Sequence, residues 1–154
     1  MKVFVVSEGY PEPSNTNLGI FAWDQAKALK AIGVDVAFLV LDCRSIRRWR
    51  RWGYQHFMAE GIPVFRIDVP LGKIPDDIFL WFSKRAFNVL IQKAMQQVGR
   101  PDILHAHFMK TGASVVEASK RYGIPLVITE HSSWLNNQTI PARIVAQFKF
   151  AYLH

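Results

Sequence analysis

The fold is decided by two stretches near the end of the sequence, Pro101-Asp-Ile-Leu-His-Ala-His-Phe108 and Gly123-Ile-Pro-Leu-Val-Ile-Thr-Glu-His131. Each contains an apolar run of strand length, and the residues between them have a helical pattern that ends at Gly123. Such a strand-helix-strand unit brings the carboxyl ends of two parallel strands to one edge of the sheet, where open α/β sheets bind ligands. We therefore expect three histidines to gather at one site: His105, His107 and His131.

The same alternation of strand and helix extends back to the start of the chain. Apolar runs predict strands over residues 2–7, 34–41, 54–58 and 64–69, and one of the last two is expected to join the sheet. Helices are predicted over 19–32, 76–99 and 111–122, with a final helical run over 140–154. The alternation indicates an α/β fold, a Rossmann-like, doubly wound, mainly parallel sheet with helices on both faces, in one domain over residues 1–154.

Spacing within two of the helices predicts which side chains face the core. In the first helix they are Phe21, Gln25, Ala28, Leu29 and Ile32, with Asn17 as the N-cap. In the second they are Phe79, Phe82, Ala86, Val89 and Leu90, with Asp76 and Asp77 as caps.

Composition and charge exclude several classes of protein. Half of the 154 residues are hydrophobic, which is enough to bury a core and argues against disorder. Five of the seven net positive charges come from arginines between residues 44 and 51, which argues against a protein coated for nucleic acid. Cys43 is the only cysteine, and Val3 to Val6 is too short a run for a signal sequence or a spanning helix. The sequence predicts a cytoplasmic protein that could contact the inner face of a membrane peripherally.

His105 and His107 lie two apart on a predicted strand and so face the same side. They could bind a metal or a phosphate; alternatively, one is a packed histidine bonded to a backbone carbonyl. A third metal ligand would have to be Glu130 or His131, yet adjacent residues point to opposite faces of a strand. We therefore expect no metal, and a metal-dependent hydrolase is a third hypothesis only.

A polar patch, Thr129-Glu130-His131-Ser132-Ser133-Trp134, follows the second strand. Polar groups beside one large aromatic side chain are common at sugar sites, and a histidine at a strand end can hydrogen-bond a hydroxyl or polarise a leaving group. The alternative is a loop that is polar because it is exposed. The position at the edge of the sheet favours a functional role for His131.

Gly19 begins a helix at the carboxyl end of the first strand, where free amides and the helix dipole favour phosphate. A Gly-x-Gly-x-x-Gly fingerprint and a Walker motif are both absent, so a dinucleotide cofactor is disfavoured. Gly19 could equally serve close packing.

A segment rich in arginine and tryptophan, named here the arginine-tryptophan segment, covers residues 44–52. Guanidinium beside indole suits anionic lipid headgroups, and it could also bind RNA or form a solvated basic loop. The residues expected to contact a membrane or an anionic acceptor are Arg47, Arg48, Trp49, Arg50, Arg51 and Trp52.

Three groups of residues together resemble the amino-terminal half of family 4 glycosyltransferases. They are Gly19-Ile-Phe with Gln25-Ala-Lys-Ala-Leu and Gly33, then Pro101 to His107, and then Gly123 to His131. The resemblance covers nearly the whole chain and is weakest from Arg44 to Trp81. It implies the acceptor-side half of a two-domain GT-B fold.

The resemblance also implies an activity and a set of site residues. The implied enzyme transfers sugar with retention from a nucleotide-diphosphate sugar to a cell-surface polysaccharide or glycolipid, without a metal or other cofactor. His131 is the implied catalytic residue, lying against the donor sugar. Gly19 would approach the donor diphosphate and His107 would shape the acceptor side, with Glu130 and Ser132 as further substrate contacts; His105 would support the rim.

The chain departs from the family pattern in two places. The first loop has Leu18-Gly19 where many members have two glycines, and no two of the five glutamates have the spacing of the family's Glu-x7-Glu motif. We therefore expect the carboxyl-terminal, donor-binding domain to be absent from this chain, and the chain alone to be inactive. The alternative is a non-catalytic nucleotide- or phosphate-binding α/β module.

Overall fold

The computed structural model describes residues 1–45, 47, 52–72, 74–132, 145, 146 and 149. The strands are β1 (Lys2–Ser7), β2 (Asp35–Cys43), β3 (Gly53–Ala59), β4 (Ile62–Val69), β5 (Ile103–His107) and β6 (Leu126–Thr129). The helices are α1 (Ile20–Ala31), α2 (Asp76–Val98) and α3 (Met109–Tyr122). Of the helical run predicted over 140–154, residues 145, 146 and 149 are helical and the others lie outside the described residues.

The strands form one sheet in the order β3-β4-β2-β1-β5-β6. Neighbouring strands are parallel except β3 and β4, which pair antiparallel. Both of the short strands therefore join the sheet, not one, because the tight turn at Glu60 and Gly61 has positive φ at both residues and folds β3 back on β4. From β1 the strand order runs one way to β2, β4 and β3 and the other way to β5 and β6, so it changes direction between β1 and β5. Ligands bind beyond the carboxyl ends of the strands at such a point.

Helices cover both faces of the sheet, which confirms the predicted fold class. On one face α1 packs over alternate residues of β1 and β2, including Val5 and Phe38. On the other face α2 and α3 pack over the residues between, including Phe4 and Leu39. Burial on both faces explains why the central strands read as continuous apolar runs.

The inward face predicted for α1 is wrong at Phe21 and Ile32, which are 59% and 76% exposed, and at Ala28, which is exposed as well. The buried residues of α1 are Ala22, Trp23 and Ala26. Small alanines let the helix approach the sheet while Trp23 fills the space beside them, so the apolar spacing that begins at Phe21 does not mark the core face.

Two helix starts also differ from expectation. Gly19, not Asn17, is the N-cap of α1, and it makes no side-chain capping bond. Pro75 is the N-cap of α2, with Asp76 and Asp77 in the first turn. On the inward face of α2, Ala86 and Leu90 are buried as predicted, whereas Val89 is exposed.

A cluster of ionised side chains, named here the buried charge cluster, lies at the carboxyl ends of β2 and β4. Its members are Glu12, Asp42, Arg44, Arg66 and Asp68. Arg66 bonds Asp68 through Nε at 2.8 Å, Asp42 through Nη2 at 3.2 Å and Glu12 through Nη1 at 2.6 Å. Arg44 binds both carboxylate oxygens of Asp42 at 2.8 Å. The cluster therefore fixes Glu12, and with it the loop between β1 and α1, to the sheet.

The two ends of this loop, at Gly9 and Gly19, are in close backbone contact. Gly19 has φ 68° and ψ 11°, and a Cβ there would press on the carbonyl oxygen of Gly9. A Cβ on Gly9 would in turn meet the side chain of Leu18. Gly19 is required by this backbone approach, as the close-packing alternative proposed.

Candidate functional site

The end of β5 places two histidines side by side at the carboxyl edge of the sheet. His105 and His107 lie on the same side of the strand, with ring centroids 4.8 Å apart. His105 Nε2 lies 2.7 Å from the hydroxyl oxygen of Thr129 on β6, and His107 is fully buried. His105 thus joins the two strands.

His131 meets His107 across the end of the sheet. It lies two residues beyond Thr129, where β6 ends, so it does not finish that strand as the sequence suggested. His131 Nε2 is 2.8 Å from His107 Nδ1, while the ring centroids are 5.1 Å apart and the planes differ by 9°. The two rings therefore lie nearly coplanar and meet edge to edge through one hydrogen bond.

Two aromatic side chains hold the exposed ring of His131. Phe21, in the first turn of α1, stacks at 5.2 Å with planes 15° apart, and Phe108 approaches at 5.3 Å and 60°. Phe108 has φ 69° and ψ 148°, a conformation that residues other than glycine rarely adopt and that costs about 1–3 kcal/mol. The sequence does not reveal either contact, since the spacing in α1 predicts Phe21 as a core residue and nothing in the sequence signals the backbone of Phe108.

Glu130 links the site to the start of α3. Its Oε2 accepts the backbone N–H of Met109, and its Oε1 accepts the N–H of His131 and both the N–H and the hydroxyl of Ser132. Burial raises the pKa of the Glu130 carboxyl, but these hydrogen bonds more than offset that effect and bring the pKa below its ordinary value. Glu130 is thus an ionised cap of α3 that also fixes His131 and Ser132.

The two histidines of β5 are neutral near pH 7. Burial, together with the neighbouring His105 and His131, lowers the pKa of His107 to about 4. Burial also lowers the pKa of His105, with a smaller contribution from His131. Among the described residues, no group of three or more His, Cys, Asp or Glu side chains is arranged to hold a metal ion.

The start of α1 lies beside His131, because Phe21 stacks on that ring. The three helices that begin at this edge differ in what faces their free N–H groups. The first turn of α2 carries Asp76 and Asp77, and Glu130 caps α3, whereas α1 has neither a side-chain cap nor an acidic residue in its first turn. The N-terminus of α1 is thus the most favourable of the three for an added anion.

Glu8 is a site residue that the sequence reasoning did not single out. It follows β1 directly, where the strand order changes direction between β1 and β5. Its Oε1 accepts a hydrogen bond of 3.3 Å from the hydroxyl of Thr111. Burial raises the pKa of Glu8, while Lys110 and Thr111 partly oppose the shift. Its place after the central strand was the available signal.

The structure thus brings together His107, Glu130, His131 and Ser132, and Gly19 begins the helix whose Phe21 stacks on His131. The arginine-tryptophan segment is described only in part: Arg47 is exposed, Trp52 is partly buried, and Arg48, Trp49, Arg50 and Arg51 lie outside the described residues. Arg44 at its start belongs to the buried charge cluster. Within the described part of the chain, no helix combines the length and apolar character needed to cross a membrane.

Comparisons with known proteins agree with this architecture. A family model described as a glycosyl transferase 4-like domain matches residues 18–151. Two curated relatives, both named D-inositol 3-phosphate glycosyltransferase, match over 117 residues, or 75% of this chain. The one from Frankia alni is 25% identical and the one from Acidothermus cellulolyticus 30%, and the matched segment spans only 28% and 25% of their lengths.

Solved structures show the same fold at low identity. Sucrose-phosphate synthase from Thermosynechococcus elongatus is similar with a TM-score of 0.62 and 14% identity, over 94% of this chain and 36% of that one. An E. coli structure described as trehalose-6-phosphate bound with UDP-2-fluoro glucose has a TM-score of 0.54 and 14% identity, over 97% of this chain and 38% of that one. At such identity the likeness concerns the fold alone.

Proposed function

Because this chain belongs to the family of glycosyl transferase 4-like domains, we propose that it is the acceptor-side domain of a retaining glycosyltransferase with two GT-B domains. The complete enzyme moves a sugar from a nucleotide-diphosphate sugar to a polysaccharide or glycolipid of the cell surface. A second domain, which binds the nucleotide, closes the other side of the cleft. The reaction needs no metal and no further cofactor.

The observation that carries the proposal is the placement of His131. Its imidazole is exposed at the edge of the sheet while His107, Phe21 and Phe108 fix it from other directions. A ring held in this way can stabilise charge that develops on a bound sugar or leaving group, because it loses little freedom when the reaction begins. His131 therefore acts on the donor sugar near the reacting carbon.

The N-terminus of α1 supplies a place for the donor diphosphate. Leaving-group phosphates gain negative charge as the glycosidic bond breaks, and uncapped amides at a helix start stabilise such charge. Gly19, with its positive φ, begins α1 without a side-chain hydrogen bond to the first N–H groups of the helix. The E. coli structure with UDP-2-fluoro glucose supports a donor of the nucleotide-diphosphate class.

Replacement of His131 tests the proposal. In the full-length enzyme, His131→Ala should reduce turnover by about 10²–10³-fold, the cost of removing one positioned group from a transition state, with an unchanged circular dichroism spectrum. His56→Ala, at an exposed position on β3, is the matched control and should retain turnover. Wild-type turnover in His131→Ala would sink the assignment. Nucleotide binding with no sugar transfer by the wild-type enzyme would support the non-catalytic module instead.

The names of the relatives favour a second candidate acceptor. Both are called D-inositol 3-phosphate glycosyltransferases, which points to a phosphorylated polyol in place of a polysaccharide or glycolipid. Assays of the full-length enzyme with one radiolabelled donor and each acceptor class separate the two. Transfer to the polyol phosphate alone would replace the polysaccharide acceptor and leave the transferase proposal standing.

Membrane contact through the arginine-tryptophan segment is a separate proposal. Positive side chains beside indole rings suit anionic headgroups, and Arg47 is exposed. Arg44 is left out of the test because it is bonded within the buried charge cluster. Sedimentation with phosphatidylserine-containing vesicles should show salt-sensitive binding that disappears when Arg47, Arg48, Arg50 and Arg51 become glutamine. Binding that survives those four changes would refute it.

A further inference from the structure

The hydrogen bond between His107 and His131 determines which nitrogen of His131 carries its proton. The two nitrogens that face each other, His107 Nδ1 and His131 Nε2, are 2.8 Å apart and share a single proton. The other nitrogen of His107, Nε2, is buried and has no hydrogen-bond partner in the part of the chain that the structure describes. That unpartnered nitrogen distinguishes the two possible arrangements of the proton.

In the first arrangement, His107 donates from Nδ1, and its buried Nε2 carries only a lone pair. In the second, His131 donates from Nε2, and neutral His107 must carry its hydrogen on the buried Nε2, where no acceptor receives it. Orphaned donors are rarer in folded proteins than acceptors that lack a partner. Because both arrangements contain the same hydrogen bond, this difference favours the first.

From this geometry we propose that His107 is a positioning residue, which locks His131 as the tautomer with hydrogen on Nδ1 and a lone pair on Nε2. The proposal rests on the role assigned to His131 above. His107 does not touch substrate, because its side chain is fully buried, and it acts only through the ring of His131.

The lock gives His131 a defined chemical task. Its Nε2 is occupied by His107, so the nitrogen that remains for substrate is Nδ1, which carries a hydrogen and donates it. The partner must then be an acceptor, namely a hydroxyl oxygen of the donor sugar or an oxygen of its phosphate. His131 is in this state a hydrogen-bond donor and not a general base.

The surrounding contacts keep the ring in the plane where the lock operates. Phe21 packs on the face of the His131 ring and Phe108 against it at 60°, so rotation of the ring would lose both contacts and the bond to His107. The backbone on either side is held by Glu130, which accepts the N–H groups of His131 and Ser132 at 2.9 Å. A fixed plane and a fixed tautomer together aim one N–H at the cleft.

Three substitutions at His107 separate the tautomer lock from a packing role. The amide nitrogen of asparagine stands where Nδ1 of histidine stands, so His107→Asn keeps a donor toward His131. His107→Asp offers only an acceptor there, and His107→Leu offers neither.

The direct measurement is long-range ¹H–¹⁵N NMR of the imidazole nitrogens of His131 in this 154-residue chain, near pH 7.5. We expect a protonated Nδ1 and a bare Nε2 in the wild type and in His107→Asn. His107→Asp should reverse the assignment, and His107→Leu should give averaged shifts. A protonated Nε2 in the wild type would overturn the proposal, as would an unchanged Nδ1–H tautomer in His107→Leu.

Turnover by the full-length enzyme gives a second readout that a packing role would not reproduce. His107→Asn should retain turnover within about threefold, whereas His107→Asp should lose about tenfold or more, although the two side chains have nearly the same volume. Equal losses in the two variants would contradict the lock. If NMR shows the lock but His131→Ala retains wild-type turnover, the proposed function fails and the tautomer assignment stands.

Discussion

Two polar clusters lie at the carboxyl edge of the same sheet, and they differ in how far their groups satisfy one another. In the buried charge cluster on β2 and β4, Arg66 reaches three carboxylates at 2.6–3.2 Å. On β5, His105 and His107 are neutral near pH 7 and Nε2 of His107 is unpartnered within the described residues, and beyond β6 the side chain of His131 is exposed. Charge alone therefore does not mark a site. A network whose polar groups all bond one another holds a loop in place. A network in which some polar groups lack a protein partner can still bond a substrate.

The largest expected effect would come from breaking the buried charge cluster. Arg66→Met leaves Asp42 and Asp68 buried without the cation between them, so we expect the free energy of unfolding to fall by about 3–5 kcal/mol. Urea denaturation measures the change. Lys84→Met is the matched control, because its ion pair with Glu117 lies at the surface and contributes less than about 1 kcal/mol. Equal losses of unfolding free energy in both variants would show that the buried ion pairs of Arg66 stabilise the fold no more than the surface pair of Lys84.

Acid should destabilise the protein through the buried histidine of β5, His107. The pKa of His107 is about 4 in the folded protein, below the ordinary 6.5, so between these values the unfolded chain binds a proton that the folded chain does not. The contribution of His107 to the free energy of unfolding is therefore fully present above pH 6.5 and is lost as the pH drops toward 4. The loss from this group is about 3 kcal/mol.

Urea denaturation of the wild type and of His107→Asn between pH 7 and pH 4 measures this contribution. The variant should lose less stability over that range, since it lacks the titrating imidazole. His56→Asn, which removes an exposed histidine on β3, is the control and should follow the wild type. Parallel pH profiles for His107→Asn and the wild type would show that His107 is not held neutral by the fold.

The loop from Glu8 to Gly19 connects the two clusters, and its closure can be tested with a pair of glycines. Gly19→Ala combines a left-handed backbone with pressure on the carbonyl of Gly9, and we expect a loss of about 2–3 kcal/mol. Gly33→Ala shares the positive φ but has open space around it, so its loss should be about 1 kcal/mol. Thermal or urea unfolding of both variants gives the difference, and identical losses would exclude the backbone contact as its cause.

The smallest expected effect concerns the cap of α3. Glu130→Gln removes a negative charge from the helix start while keeping an amide oxygen, so we expect a loss of about 1 kcal/mol in the free energy of unfolding. Glu117→Gln, farther along the same helix, should change it by less than about 0.5 kcal/mol. A larger effect at Glu117 would place the stabilising charge elsewhere on α3.

The sequence predicted the sheet because burial on both faces leaves a strong apolar signal in the strands. It did not predict the inward face of α1, since Phe21, Gln25 and Ile32 have a helical spacing as regular as that of Ala22 and Ala26. Phe21 turns instead toward His131. Periodicity gives the width of an apolar face, and packing against the sheet decides its direction.

The candidate site was predicted as a location and not as a set of bonds. The topology of parallel strands was enough to bring His105, His107 and His131 to one edge. The bond from His107 to His131 depends on β6 ending at Thr129 and on Glu130 turning the chain. The buried charge cluster escaped notice for a similar reason, because Asp42 faces Asp68 only through the register of β2 with β4.

The contact between Gly9 and Gly19 changes how the family pattern is to be recognised. The resemblance to family 4 glycosyltransferases implies two adjacent glycines in the first loop, and this chain has Leu18 in one of those positions. The side chain of Leu18 occupies the space that a side chain at position 9 would need. Gly9, at the other end of the loop, therefore makes the room that a glycine at position 18 would have made. In this chain two glycines far apart in the loop, Gly9 and Gly19, make the close backbone approach, and a search for adjacent glycines passes over such a pair.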